Sequence, residues 1–220
     1  MGITTVNRSH LSQLIDHTLL APETTSQDVE RHIHEALDLG VFGICVSPCF
    51  FPLAAEGLTT MTVVGFPFGT ASPEAKAAEA AKAVADGAME IETVMNLGRA
   101  KASQWNLVTA DIAAVRAAIP DSIELKVIIE SAALTDAHIV AACWAAEDAG
   151  ANWVKTSTGF HPAGGATPQA VALIARTLAG HLKVKASGGI GDLATAIALL
   201  EAGAERLGTS HSAAILAEAQ

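Results

Sequence analysis

One phrase recurs along the chain: a helix end, a glycine, then a short apolar strand. It reads LDLGVFGICV, VADGAMEIETV, EDAGANWVKTS, LAGHLKVKAS and LEAGAERLGTS, with the glycines at Gly40, Gly87, Gly150, Gly180 and Gly203. A residue just past a helix often turns left-handed, and glycine does so without a Cβ penalty. Strands that alternate with helices dictate a mainly parallel sheet. Eight strand candidates lie near residues 14–20, 42–47, 61–66, 89–95, 124–130, 153–157, 182–187 and 205–209. Eight βα units in 220 residues predict an α/β fold, a compact (β/α)8 barrel forming a single domain over residues 1–220. A doubly wound sheet is the competing arrangement, but no G-x-G-x-x-G follows the first strand.

Several helices mark their own starts. TTSQDVERHIHEAL opens with Thr25 and Asp28 at capping-box spacing. SPEAKAAEAAKAVADG places Ser72 as N-cap and Pro73 in the first turn, and ATPQAVALIARTLAG repeats the device with Thr167 and Pro168. LTDAHIVAACWAAEDAG and GDLATAIALLEAG are apolar on one face.

Counting five residues on from the glycines gives Cys45, Glu92, Lys155, Lys185 and Gly208. Asp121 takes the turn position in IPDSIELKVIIE, and five residues on is Lys126. Equal offsets predict similar heights on successive strands. Lys126, Lys155 and Lys185 should therefore point into the barrel from the fifth, sixth and seventh strands, with apolar neighbours such as Val154 and Val184 facing the helices. A lone lysine at a strand end usually snorkels to water. Three at matched positions repel one another, so function rather than stability is the reason for the cluster. Free lysine has a pKa near 10.4, which leaves about 0.04% neutral amine at pH 7. A neighbouring cation and desolvation lower that value, and a drop of about three units leaves roughly 30% neutral. This prepares a lysine to form a Schiff base with a carbonyl substrate. Glu92 and Asp16 supply carboxylates nearby, as proton relays or as salt-bridge partners for the lysines.

The formal net charge of −10 argues against nucleic acid or an anionic membrane as partner, while leaving room for a local anion site. ASGGIGD and GTSHS follow the seventh and eighth strands, where barrels commonly bind phosphate on backbone N–H groups. Gly188, Gly189, Gly208 and Ser210 are candidates, with Gly159 of STGF beside them. Cys45, Cys49 and Cys143 form no zinc pattern, and no H-E-x-x-H occurs. No metal site is expected. Three cysteines, a polar start in MGITTVNRSH and no apolar run near the roughly 18 residues of a membrane span lead to a cytoplasmic expectation.

LIDHTLL, VVGFPFG, LKVIIE, WVKTSTGF, VKASGGI and GTS, in that order from Leu14 to about Ser210, resemble the deoxyribose-phosphate aldolases, class I aldolases on a (β/α)8 barrel. The resemblance implies reversible cleavage of 2-deoxy-D-ribose 5-phosphate to D-glyceraldehyde 3-phosphate and acetaldehyde, with no cofactor or metal. Lys155 matches the Schiff-base lysine and Lys185 the lysine that perturbs it. Lys126 and Asp16 match polar pocket residues. Gly188, Gly189, Gly208 and Ser210 match phosphate-loop positions. With the apolar outer helices, the likeness also points to a homodimer.

The chain departs from the family pattern at four points. Glu92 stands where the family has an aspartate of the proton relay, His211 where a second serine is usual, and Ala21 where a lysine is frequent. There is no tyrosine at all. The extra methylene of Glu92 is expected to displace the carboxylate by about 1 Å, a scale worth roughly 100-fold in rate. On that expectation Glu92→Asp raises activity. Two other readings stay open beside the aldolase: an altered or engineered relative with iminium chemistry on other carbonyl compounds, and a barrel that binds a sugar phosphate without turning it over.

Overall fold

The computed structural model describes residues 7–220. Eight strands form a closed parallel barrel in sequence order: β1 (Ile15–Leu19), β2 (Gly43–Val46), β3 (Thr59–Val64), β4 (Glu90–Val94), β5 (Glu124–Ile128), β6 (Trp153–Lys155), β7 (Lys183–Ser187) and β8 (Arg206–Thr209). Short helix α1 (Arg8–Ser12) precedes β1. The connecting helices are α2 (Ser26–Leu39), α3 (Pro73–Ala85), α4 (Leu97–Lys101), α5 (Trp105–Ala117), α6 (Asp136–Asp148), α7 (Pro168–Leu178) and α8 (Leu193–Glu201), and α9 (Ser212–Glu218) follows β8. The connection from β2 to β3 has only a 3-10 turn, Pro48–Phe50.

Local signals act as their chemistry requires. Thr25 and Asp28 close a capping box on α2. Ser72 and Thr167 accept from the N–H groups of Ala75 and Ala170. All five glycines of the repeated phrase have positive φ. After α7 the turn begins one residue earlier than expected, at Ala179, which is itself left-handed. β3 starts at Thr59 rather than near residue 61, because Thr59 and Thr60 already pair with Gly43 and Ile44.

Alternation along the strands separates two environments. Val127, Val154, Val184, Ala186 and Leu207 face outward into the apolar layer beneath the helices. Lys126, Lys155 and Lys185 occupy the intervening, inward positions. The register corrects the expectation of equal heights. Lys155 pairs with Lys185, so those two are level. Lys126 pairs with Glu92 and with Trp153, whereas Lys155 pairs with Ile128. Lys126 therefore lies one inward-facing layer closer to the N-terminal end of the barrel. Gly208 pairs with Ser187, one layer beyond Lys185. The cause is the stagger that closes a tilted barrel. Below the cluster, Trp153 donates its indole N–H to Glu124 at 2.6 Å, and the Arg206 guanidinium lies 3.5 Å from the centroid of Phe42.

Candidate active site

The inward lysines do not stand in a purely cationic pocket. Glu92 is shared between two of them: its Oε2 lies 2.5 Å from Lys155 Nζ and its Oε1 2.6 Å from Lys185 Nζ. The same Oε1 lies 3.6 Å from Lys126 Nζ. Asp16 on β1 pairs with Lys185 at 2.5 Å and with Arg206 at 2.9 Å. Lys126 is ion-paired to Glu90. Four cations thus face three carboxylates, leaving one positive charge in excess.

Burial without compensation would neutralise these groups. Here the mutual charges prevail. Burial alone would raise the carboxyls of Glu92 and Asp16. Lys155, Lys185 and Lys126 nevertheless hold Glu92 well below the usual range, and Lys185, Lys126 and Arg206 hold Asp16 low. Burial would lower the Lys185 ammonium, but Asp16 and Glu92 push it above the ordinary lysine value. Lysine–lysine repulsion, the driving effect expected from the sequence, is therefore outweighed at Lys185 by the interleaved carboxylates. Cys45, at the same offset on β2, has its thiol pushed up to about 12 by burial and by Glu92, which keeps it protonated.

Among the three lysines, access differs. Lys126 and Lys185 have no exposed surface, while Lys155, at 2%, forms part of the wall of a cavity of about 610 Å³. That cavity opens at the C-terminal ends of the strands, bounded by the segments after β1, β6, β7 and β8. Gly159, Gly188, Gly189, Gly208 and Ser210 all line it. Asp16, Glu92, Lys126 and Lys185 lie behind this wall, joined to Lys155 through the ion pairs above.

Backbone contact fixes the glycine loops. Gly188 and Gly189 have φ of +86° and +77°, a conformation that side chains resist. A Cβ on Gly165 would come within 2.1 Å of the Gly188 carbonyl oxygen, so the β6–α7 and β7–α8 loops touch main chain to main chain. Gly208 has a second reason to lack a side chain: its Cβ would meet Lys185 Cε at 2.9 Å. The amides of Gly159, Gly188 and Gly189 have no hydrogen-bond partner among the described residues, which leaves them free for an anion.

The loop carrying Lys155 is anchored on both sides. Toward β7, the Thr156 hydroxyl donates to the Ser187 carbonyl and accepts from the Ser187 N–H, while Ser187 Oγ donates to the Ser157 carbonyl at 2.6 Å. Toward β5, the buried Glu130 accepts from the Thr158 N–H at 3.2 Å and from the Thr158 hydroxyl at 2.5 Å. Glu130 is itself left-handed, with φ +56°, strain that this bonding sustains. The sequence reading missed Glu90, Arg206, Glu130 and Gly165. A one-layer stagger brings Glu90 and Arg206 to the cluster, and no motif marks that stagger. Glu130 ends the LKVIIE stretch, the one available signal.

Chemically, the arrangement offers one accessible amine, a carboxylate touching it, and an anion-ready loop pair across a common cavity. Among the described residues no group of three or more His, Cys, Asp or Glu side chains is gathered to hold a metal ion. No helix among them is long and apolar enough to cross a membrane.

The family model described as "DeoC/LacD family aldolase" matches residues 11–214. The chain is 54% identical over 212 residues to the deoxyribose-phosphate aldolase of Corynebacterium diphtheriae, covering 96% of this chain and 97% of that one. It is 55% identical over 209 residues to the same-named protein of Nocardia farcinica, covering 95% and 94%. A solved deoxyribose phosphate aldolase from Aeropyrum pernix, described as tetrameric, superposes with a TM-score of 0.89 at 32% identity, covering 96% and 91%.

Proposed function

The chain belongs to the DeoC/LacD family of aldolases, and from that premise we propose that it reversibly cleaves 2-deoxy-D-ribose 5-phosphate into D-glyceraldehyde 3-phosphate and acetaldehyde, with Lys155 as the Schiff-base amine. One observation carries the assignment of Lys155: of the three inward lysines it alone lines the cavity, and it touches a carboxylate able to move its protons.

In cleavage, the uncharged Lys155 amine attacks the aldehyde carbon, and loss of water gives an iminium. An uncharged Lys155 also brings the buried cluster of four cations and three carboxylates into electrical balance. The substrate C3 hydroxyl then gives up its proton, and the C2–C3 bond breaks toward the iminium. Glyceraldehyde 3-phosphate departs and an enamine remains on Lys155. Protonation of the enamine and addition of water release acetaldehyde and regenerate the amine. Glu92 stands in contact with Lys155 and is the group we assign to proton transfer. Lys185 helps to hold Glu92 ionised and oriented, Asp16 in turn pairs with Lys185, and Lys126 with Glu90 closes the cluster from below. Gly159, Gly188, Gly189, Gly208 and Ser210 form the phosphate end of the cavity.

A homodimer in the cytoplasm completes the reading. Its support is two large apolar side chains left exposed on neighbouring helices, Trp144 of α6 and Leu107 of α5; light scattering measures the assembly. The reaction is tested by incubating the protein with deoxyribose 5-phosphate or deoxyribose and assaying both aldehyde products. Cleavage of the phosphorylated sugar supports the proposal. Cleavage of other carbonyl compounds alone, or of none, overturns it.

A further inference from the structure

We propose that His211 sets the preference of this enzyme for a phosphorylated substrate, its ring pairing with the phosphate; the inference rests on the aldolase reading above. The phosphate end of the cavity is poor in positive charge. Among its lining residues only Lys155 and His211 have basic side chains, and Glu23 has the only acidic one. Lys155 is held by Glu92 and is taken up by the Schiff base. Without His211, a phosphate dianion would rest on backbone amides and hydroxyls alone, in a cavity that Glu23 also lines.

The local bonding shows which part of His211 is available. Its backbone N–H is already committed to Thr209 Oγ1 at 2.9 Å, and Thr209 Oγ1 in turn donates to the Ile190 carbonyl. The backbone of His211 therefore has no donor left for a ligand, and the ring must act if the residue acts at all. Ring Nδ1 lies 3.1 Å from Ser210 Oγ, which leaves Nε2 as the free nitrogen. A Ser210 hydroxyl donating to Nδ1 fixes the proton on Nε2, and a protonated ring carries one there as well. In both of these forms Nε2 is a donor, and a phosphate selects them over the neutral tautomer whose proton sits on Nδ1. His211 thus adds a directed donor, and in its charged form a cation, where the neighbouring glycines offer only amides.

A charge-assisted hydrogen bond of this kind is worth about 10- to 150-fold in affinity. The ratio of kcat/KM for deoxyribose 5-phosphate to that for deoxyribose is the direct readout. It should fall about 10- to 150-fold in His211→Ala. The loss should lie mainly in KM for the phosphorylated sugar, because ground state and transition state share the contact. His211→Lys should restore most of the preference. An unchanged ratio in His211→Ala overturns the proposal, and so does a rise, which would mean that the ring crowds the phosphate. Calorimetric binding of glycerol 3-phosphate, which has no carbonyl to react, separates this inference from the reaction itself. Weaker binding in His211→Ala supports the pairing even if turnover of deoxyribose 5-phosphate is never seen, and equal binding in the two proteins contradicts it.

Discussion

Glu92 Oε2 stands 2.5 Å from Lys155 Nζ, while the other oxygen of the same carboxylate stands 2.6 Å from Lys185 Nζ. One side chain bridges the accessible amine and an enclosed one, and its length is what permits the span. This geometry reverses the expectation that the extra methylene misplaces the carboxylate. Shortening the side chain would withdraw it from one lysine or from both. We predict that Glu92→Asp lowers cleavage of deoxyribose 5-phosphate, by up to roughly 100-fold for a displacement near 1 Å. Glu92→Gln should be worse still, because it cannot relay a proton. Steady-state kinetics of the three proteins decide the matter, and a faster aspartate variant would show that the bridge hinders rather than helps.

Lys185 is enclosed between Asp16 and Glu92. Removing one partner of a buried ionic group strands the others, at about 3–5 kcal/mol. Lys185→Met should therefore lower stability by that order in denaturant unfolding. Lys185→Met combined with Asp16→Asn should cost less than the sum of the two single changes, since the two side chains form one ion pair, although Asp16→Asn also takes a partner from Arg206. Strictly additive losses would mean that Asp16 and Lys185 do not depend on each other.

His17 of β1 and His32 of α2 stack at 3.8 Å, and burial lowers both to about 4. The unfolded chain takes up their protons near pH 6.5, but the folded one does not. Stability should then fall as pH drops from about 6.5 toward 4, by at most about 1.4 kcal/mol per pH unit for each histidine. Asp16 and Glu92 are held low, so their loss comes only at more acidic pH. Unfolding midpoints measured from pH 7 to 4.5 should slope downward in the parent, with a shallower slope in His32→Gln. Parallel slopes would remove the histidine pair as the cause.

Gly165 has no room for a methyl group, because its Cβ would lie 2.1 Å from the Gly188 carbonyl oxygen. Gly165→Ala must part the two loops that line the proposed phosphate end of the cavity. We predict a rise in KM for deoxyribose 5-phosphate of roughly tenfold or more, in line with the loss of a contact to a charged group. The global unfolding midpoint should fall as well, since Ile190 of one loop belongs to the hydrophobic core and Ala166 of the other packs against it. An unchanged KM would show that the contact between these loops does not shape the phosphate end.

The barrel was legible because glycine turns and strand alternation leave local traces. Gly40, Gly150 and Gly203 mark helix ends, and Lys155 beside Val154 marks an inward position. α4 and α5 left weaker traces. The Gln104 cap of α5 makes no side-chain capping bond, so no start signal stands before Trp105. The site was legible only as far as each residue could be placed on its own strand. Lys155 was placed so, and Gly188 and Gly189 on the loop that follows β7. The partners that tune the cluster were not, because Glu90 and Arg206 reach it through the stagger between strands. Glu130 joins the Lys155 loop through a left-handed turn that no glycine announces.

The Schiff base is tested most directly by borohydride trapping. The protein is incubated with acetaldehyde and sodium borohydride, digested, and its peptides mapped by mass. A single ethyl adduct on Lys155, absent from Lys155→Arg because a guanidinium cannot form the carbinolamine, is the expected result. An adduct on Lys126 or Lys185, or full turnover with no adduct at all, would contradict Lys155 as the nucleophile.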